Sequence, residues 1–348
     1  MRVRAAALVP VLAFTLMVAG CGSATPAPAG NTASPTASPT ASPTASHRGN
    51  RGDNADPAST ASPRPGASSG CAVGRAGRLA SGAHVLTFGG VDRRYLLAVP
   101  AGPGPHPVLL NLHGLGSNAA EQAAYSRLPQ AGTRRGYIVA TPQSAPGRMA
   151  WTLPHTGGPD DTAYLTALLD ELRRRQCVRP GREFAAGMSY GAGMAASLVC
   201  ALHGRLSAVA AVAGLPIAQP CDHPAPTTII AFHGTADHLV PYRGGHPEAT
   251  GSLRDLAALV VLPPVEQTMN AWAGALTCTR PATSHPLPRV RLRVWKSCPR
   301  GTTLRLYTVY GGGHTWPGPI EVSSLGGTAR DLNATELILD TFDRAPTR

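Results

Sequence analysis

The chain has 348 residues, 43% of them hydrophobic, and a formal net charge of +12 with a pI near 10.0. That length admits one large domain or two modest ones, and the apolar fraction is that of an ordinary globular protein. The positive balance is scattered arginine, with Lys296 the single lysine, and no basic stripe carries interleaved aromatics, so nucleic acid is not the expected partner.

Arg2 and Arg4 precede an apolar run from Ala5 to Val18, which is too short for a membrane span and has the order of a signal peptide. It ends in Val18-Ala19-Gly20-Cys21, small residues ahead of a cysteine, and this resembles the lipobox of bacterial lipoproteins. The resemblance implies lipidation of Cys21 and anchoring on the outer face of the cell membrane through acyl chains. Residues 21–70 are mostly Pro, Ala, Ser, Thr and Gly, with Thr32–Pro35 repeated as Thr36–Pro39 and Thr40–Pro43. Such a stretch cannot bury enough surface to offset its ordering entropy, and reads as a disordered tether. The expected organisation is a signal peptide at 1–20, the tether at 21–70 and one folded domain at 71–348.

Within that domain, Val85–Phe88 and Arg94–Val99 read as strands joined by a turn at Gly89-Gly90. Val108–Leu112 and Ile138–Thr141 are short apolar runs of the kind that form buried strands. Asp160-Asp161 opens a helix with Leu165, Leu168, Leu169 and Leu172 on one face, closed by Arg173-Arg174-Arg175 where cations suit the helix dipole. Further strands are expected at Glu183–Gly187, Ala208–Ala213, Thr228–His233 and Thr303–Tyr310. Helices are expected at Tyr190–Leu202, Val265–Ala275 and Glu336–Phe342. Strands alternating with helices predict an α/β fold, a mostly parallel sheet covered on both faces.

Gly187-Met188-Ser189-Tyr190-Gly191 falls between a predicted strand and a predicted helix. A G-x-S-x-G sequence in that context is a nucleophile elbow, a tight turn exposing a serine hydroxyl at the carboxyl edge of the sheet. In such sheets an acid and then a histidine follow in chain order. Asp237 comes just after the Thr228 strand and His314 just after the Thr303 strand, so both stand where strands end. Asp222, Glu248 and Asp255 are less well placed. His314 is expected to take the proton of Ser189, with Asp237 holding the imidazole tautomer. His113-Gly114-Leu115-Gly116 follows the Val108 strand, and the backbone N–H groups of Leu115 and Tyr190 are expected to form an oxyanion hole. His113 and His233 read as structural. Trp316 reads either as a pocket wall or as packing. His233, His238 and His246 match no familiar metal spacing, so no metal site is expected.

Setting Cys21 aside leaves six cysteines, an even set in an exported chain, so disulfides are expected. Connectivity is not determined by sequence. The sequence-close pairs Cys200–Cys221 and Cys278–Cys298 are the expected ones, which leaves Cys71–Cys177 by elimination.

Leu112–Gly116, Gly187–Gly191, Phe232–Asp237 and Gly311–Gly318 together resemble the bacterial polyhydroxybutyrate depolymerase-like and feruloyl esterase family, over about Tyr95 to Pro317. The resemblance implies an α/β-hydrolase fold and cofactor-free hydrolysis of carboxylic esters through an acyl-enzyme. Family members act on hydroxyalkanoate polymers, on feruloylated or acetylated plant polysaccharide, or on small esters. Two other readings stand beside it: a serine peptidase on the same fold, and a non-catalytic lipoprotein that binds an envelope ligand.

Overall fold

The computed structural model describes residues 69–74, 77–248 and 254–348. The expected signal peptide, the lipidation site Cys21 and the tether up to residue 68 lie outside the described residues. The strands are β1 (Gly82–Phe88), β2 (Val91–Ala98), β3 (His106–Leu112), β4 (Ile138–Pro142), β5 (Val178–Met188), β6 (Leu206–Val212), β7 (Thr228–Gly234), β8 (Ala282–Leu287), β9 (Val290–Trp295) and β10 (Leu304–Val309). The helices are α1 (Ala119–Ser126), α2 (Leu128–Arg134), α3 (Asp161–Arg175), α4 (Tyr190–Ala201), α5 (Arg254–Ala258), α6 (Val265–Ala275) and α7 (Ala334–Arg344).

One sheet runs in the order β1-β2-β4-β3-β5-β6-β7-β10-β9-β8. Strands β4, β3, β5, β6, β7 and β10 are parallel. The flanking strands β1 and β2 on one side, and β9 and β8 on the other, join antiparallel. The burial pattern follows from this. Every residue of the mostly apolar β6 and β7 is buried, as expected for central strands of a doubly covered parallel sheet. The outermost strand β8 is mostly exposed and carries polar side chains.

The sheet separates two apolar cores. Against one face pack Tyr164, Leu165, Leu168 and Leu172 of α3, the apolar side of α4, and Met269 and Trp272 of α6. Against the other pack Leu128 of α2 and Ile338, Leu339 and Phe342 of α7, with Phe342 stacked on Phe184 at 4.7 Å between ring centroids. Capping fixes the helix starts: the Asp160 carboxylate accepts from Ala163 N at 2.8 Å and the Asn333 side chain accepts from Glu336 N at 3.2 Å.

Three disulfides staple the domain: Cys71–Cys177, Cys200–Cys221 and Cys278–Cys298. The first ties the helical turn at Ser69–Cys71 to the segment between α3 and β5. No helix among the described residues is long and apolar enough to cross a membrane.

Candidate active site

The carboxyl ends of the parallel strands are laced together by backbone hydrogen bonds. Ser189 N donates to Val212 O at 2.8 Å and Ala213 N to Phe232 O at 2.8 Å. Thr235 N donates to Val309 O at 2.9 Å and Ala236 N to Gly312 O at 2.8 Å. These bonds step from β5 to β10 along one edge, and the edge carries Ser189, Asp237 and His314 in the loops after β5, β7 and β10.

Ser189 has φ 55° and ψ −123°, a conformation L-residues rarely adopt and one that lifts its side chain out of the β5–α4 turn. The turn is too tight for side chains at its flanking glycines. A Cβ on Gly187 would lie 2.2 Å from Gly191 O, and one on Gly191 would lie 2.2 Å from Leu112 O.

Asp237 and His314 are in direct contact. His314 Nδ1 donates to Asp237 Oδ2 at 2.8 Å, and Val240 N donates to Asp237 Oδ1 at 2.9 Å. An ionised carboxylate only accepts, so the imidazole proton sits on Nδ1 and Nε2 keeps its lone pair. Both side chains are buried. Burial alone would push the Asp237 carboxyl up, but hydrogen bonds from His233 and His314 outweigh it and hold the group well below the usual carboxylate range. The histidine loop is itself stapled, with Gly313 N donating to Gly327 O and His314 N to Leu325 O, each at 2.8 Å.

The loop after β3 approaches the serine: a Cβ on Gly114 would stand 3.2 Å from Ser189 Cβ. In this loop Gly116 N donates to Met149 O and Ser117 N to Gly114 O. Among the described residues the Leu115 and Tyr190 amides have no protein acceptor. Tyr190 is the first residue of α4, where helix geometry leaves the N–H free. His113 holds the loop from behind. Its Nε2 accepts from Ser144 N at 3.1 Å, so the proton is on Nδ1, which donates to Gly114 O at 2.8 Å. Burial pushes the His113 imidazole below its ordinary value, which keeps it neutral in this role. Trp151 Nε1 donates to His113 O at 2.9 Å. The Ser144–Thr152 segment that supplies these contacts carries no periodic or motif signal, and the sequence reading did not single it out.

Of the two readings of Trp316, its burial favours packing. The indole is 2% exposed, its Nε1 donates to Thr335 Oγ1 at 3.0 Å, and it lies in the core beneath α7. The cavity it borders, with Arg127, Arg134 and Glu336, includes none of Ser189, Asp237 and His314. The three histidines near Asp237 do not converge. His233 faces Val240 O and Asp237, His238 pairs with Glu248 at the surface, and His246 Nδ1 bonds Val260 O. Among the described residues no group of His, Cys, Asp and Glu is arranged to hold a metal ion.

Comparison with known proteins gives the same class. No family model matches the chain. Feruloyl esterase B of Piromyces equi is 29% identical over 222 residues, an alignment covering 60% of this chain and 39% of that protein. A protein of Nocardia uniformis subsp. tsuyamanensis named "Putative esterase NocK" is 29% identical over 283 residues, covering 74% of this chain and 81% of that protein. Among solved structures, an acetyl xylan esterase from Aspergillus awamori superposes with a TM-score of 0.51 at 15% identity, covering 75% of this chain and 98% of that one. The chain therefore has the α/β-hydrolase fold and is a relative of carboxylic ester hydrolases, feruloyl esterases among them.

Proposed function

We propose that the chain is a serine esterase that hydrolyses carboxylic esters outside the cytoplasm, with Ser189, His314 and Asp237 as its catalytic triad. The observation that carries this is the buried Asp237–His314 pair on the same sheet edge as a serine in the elbow conformation. In the acylation step Ser189 Oγ attacks the ester carbonyl carbon and its proton passes to His314 Nε2, the nitrogen that Asp237 leaves unprotonated. The negative charge that develops on the carbonyl oxygen is accepted by the Leu115 and Tyr190 amides, at the N-terminus of α4. Collapse of the tetrahedral species breaks the bond to the alcohol, which leaves with the proton from His314. Water then attacks the acyl-enzyme by the same route, with His314 again as base, and releases the acid.

The substrate is taken to be of the feruloyl esterase or polyhydroxybutyrate depolymerase type, small or polysaccharide-linked, in keeping with the relatives' names and the four motifs. Leu115, exposed on the loop after β3, and Met149, exposed against Gly116 of the same loop, offer an apolar contact to such an ester. Three disulfides fit an oxidising compartment. The order of charged, apolar and small residues before Cys21 supports lipid anchoring at the outer face of the membrane.

Hydrolysis of short p-nitrophenyl esters, together with a panel of feruloyl, acetyl and hydroxybutyrate donors, tests the reading. Ser189→Ala should remove at least about three orders of magnitude in kcat while the melting transition is kept. Near-normal turnover in that variant, or cleavage of peptides in preference to esters, would overturn the proposal.

A further inference from the structure

His233 stands near the end of β7, four residues before Asp237, and is 2% exposed. Its Nε2 lies 2.8 Å from Val240 O and 3.3 Å from Asp237 Oδ2. A carbonyl and a carboxylate can only accept, so Nε2 carries the ring proton and is shared between them. Nδ1 has no hydrogen-bond partner among the described residues, so the hydrogen bonds of this ring run through Nε2 to the Asp237–Val240 turn.

That turn is gripped from two sides. Val240 gives its N–H to Asp237 Oδ1 and its carbonyl to His233, so one residue links the imidazole to the carboxylate. Asp237 Oδ2 is then flanked by two imidazoles, His314 at 2.8 Å and His233 at 3.3 Å. The Val240 bond alone would leave the carboxylate free to swing about Oδ1. A second donor on Oδ2 fixes its plane. The His233 ring is fixed in turn: its strand pairs with β10, where Thr308 is its register partner, and the Tyr242 ring meets it edge-on at 6.0 Å. Tyr242 is anchored by its hydroxyl to Thr308 Oγ1 at 2.9 Å and to Glu266 Oε1 at 2.8 Å, and Arg291 and Arg293 pair with that Glu266.

We propose that His233 is a positioning residue for the esterase reaction, holding the Asp237 carboxylate so that Oδ2 faces His314 Nδ1. The inference rests on the triad reading above, and goes beyond it by giving the acid a second imidazole that touches neither substrate nor nucleophile. Glutamine can place an amide nitrogen where Nε2 stands; asparagine, one bond shorter, cannot reach, and leucine offers no donor.

The test is a set of kcat and KM measurements on a short p-nitrophenyl ester for His233→Gln, His233→Asn and His233→Leu, each alone and combined with Asp237→Asn. His233→Leu and His233→Asn should lower kcat about tenfold or more with KM nearly unchanged, since misplacing a group by a fraction of an ångström acts on the transition state. His233→Gln should recover most of that loss. In the Asp237→Asn background the His233 substitutions should have almost no further effect, because a residue acting through the carboxylate has nothing left to act on. Equal losses in both backgrounds would overturn the proposal, as would a rise in KM at constant kcat or a failure of glutamine to recover more than asparagine. If His233→Leu does not fold, the glutamine–asparagine contrast decides. Full activity in Ser189→Ala would instead sink the triad itself.

Discussion

Asp237→Asn separates geometry from chemistry at this site, because every neighbour of the carboxylate is a donor. Val240 N–H points at Oδ1, and His314 Nδ1 and His233 Nε2 point at Oδ2. An asparagine has one acceptor oxygen, so its NH2 must face a donor whichever way it turns. With the NH2 toward Val240, two buried N–H groups lose their partners, at about 1–3 kcal/mol each. With the NH2 toward His314, the imidazole moves its proton to Nε2 and accepts at Nδ1, and no donor is orphaned there. His233 keeps its 2.8 Å bond to Val240 O in either case. The second arrangement wins, so the fold should lose less than about 2 kcal/mol. Catalysis loses the Nε2 lone pair that receives the Ser189 proton, and kcat should fall about 10⁴-fold, or about 5 kcal/mol of transition-state stabilisation. Steady-state hydrolysis of a p-nitrophenyl ester at neutral pH, with urea unfolding on the same preparation, reads both quantities. A loss under tenfold, or a stability drop that matches the activity loss, would refute the tautomer argument.

Arg93 and Asp161 form a buried ion pair at 2.6 Å, with side chains 3% and 0% exposed; Arg93→Met should destabilise the fold by about 3–5 kcal/mol in urea unfolding, and the double variant Arg93→Met, Asp161→Leu should regain most of it. A double variant no better than the single one would show that packing of Arg93 over Tyr164, not charge, carries the effect. The pH dependence of stability follows from Asp237, whose carboxyl is held below its ordinary value near 3.8. The unfolded chain takes up that proton first, so the contribution is present above about pH 4 and is lost as pH falls further. The stability gap between the native chain and Asp237→Asn, followed by urea unfolding at successive pH values, should therefore narrow below about pH 4; a constant gap would contradict the assignment.

The central strands and the main helices were legible because their signals are local. Val108–Leu112 and Thr228–His233 are short, mostly apolar runs, as burial on both faces favours. α3 announced itself through Asp160 and the spacing of its leucines, and the structure starts it one residue after that cap. The elements not expected from sequence were α1, α2, the short α5 and the β8–β9 hairpin. Helices α1 and α2 are each a couple of turns long and meet at Arg127, which has a positive φ, so neither shows a full amphipathic period. Strand β9 alternates, but β8 is an exposed edge with polar residues, and Val290–Trp295 interleaves arginines that pair with Glu266, distant in sequence. The sheet is accordingly mixed at both flanks.

The candidate site divides along the same physical line. Ser189, Asp237 and His314 each sit where a strand ends in a short glycine-bearing loop, and a chain-order rule connects such positions without knowledge of contacts. What supports them is set by contacts between distant segments. Trp151 reaches the His113 carbonyl across 38 positions, and Ser144 N sets the His113 tautomer across 31. His233 is only four positions from Asp237, within the F-H-G-T-A-D run, yet nothing in the sequence states its relation to the carboxylate. On a strand the two would share a face but stand about 13 Å apart, too far to touch. The side chains meet because the chain turns back after Gly234 and closes Asp237 onto Val240, and that turn is held by Ala236 N bonding to Gly312 O on the loop that carries His314. The geometry of the acid thus depends on the histidine loop that the acid itself serves, so acid and base are positioned as one unit by the β7–β10 pairing.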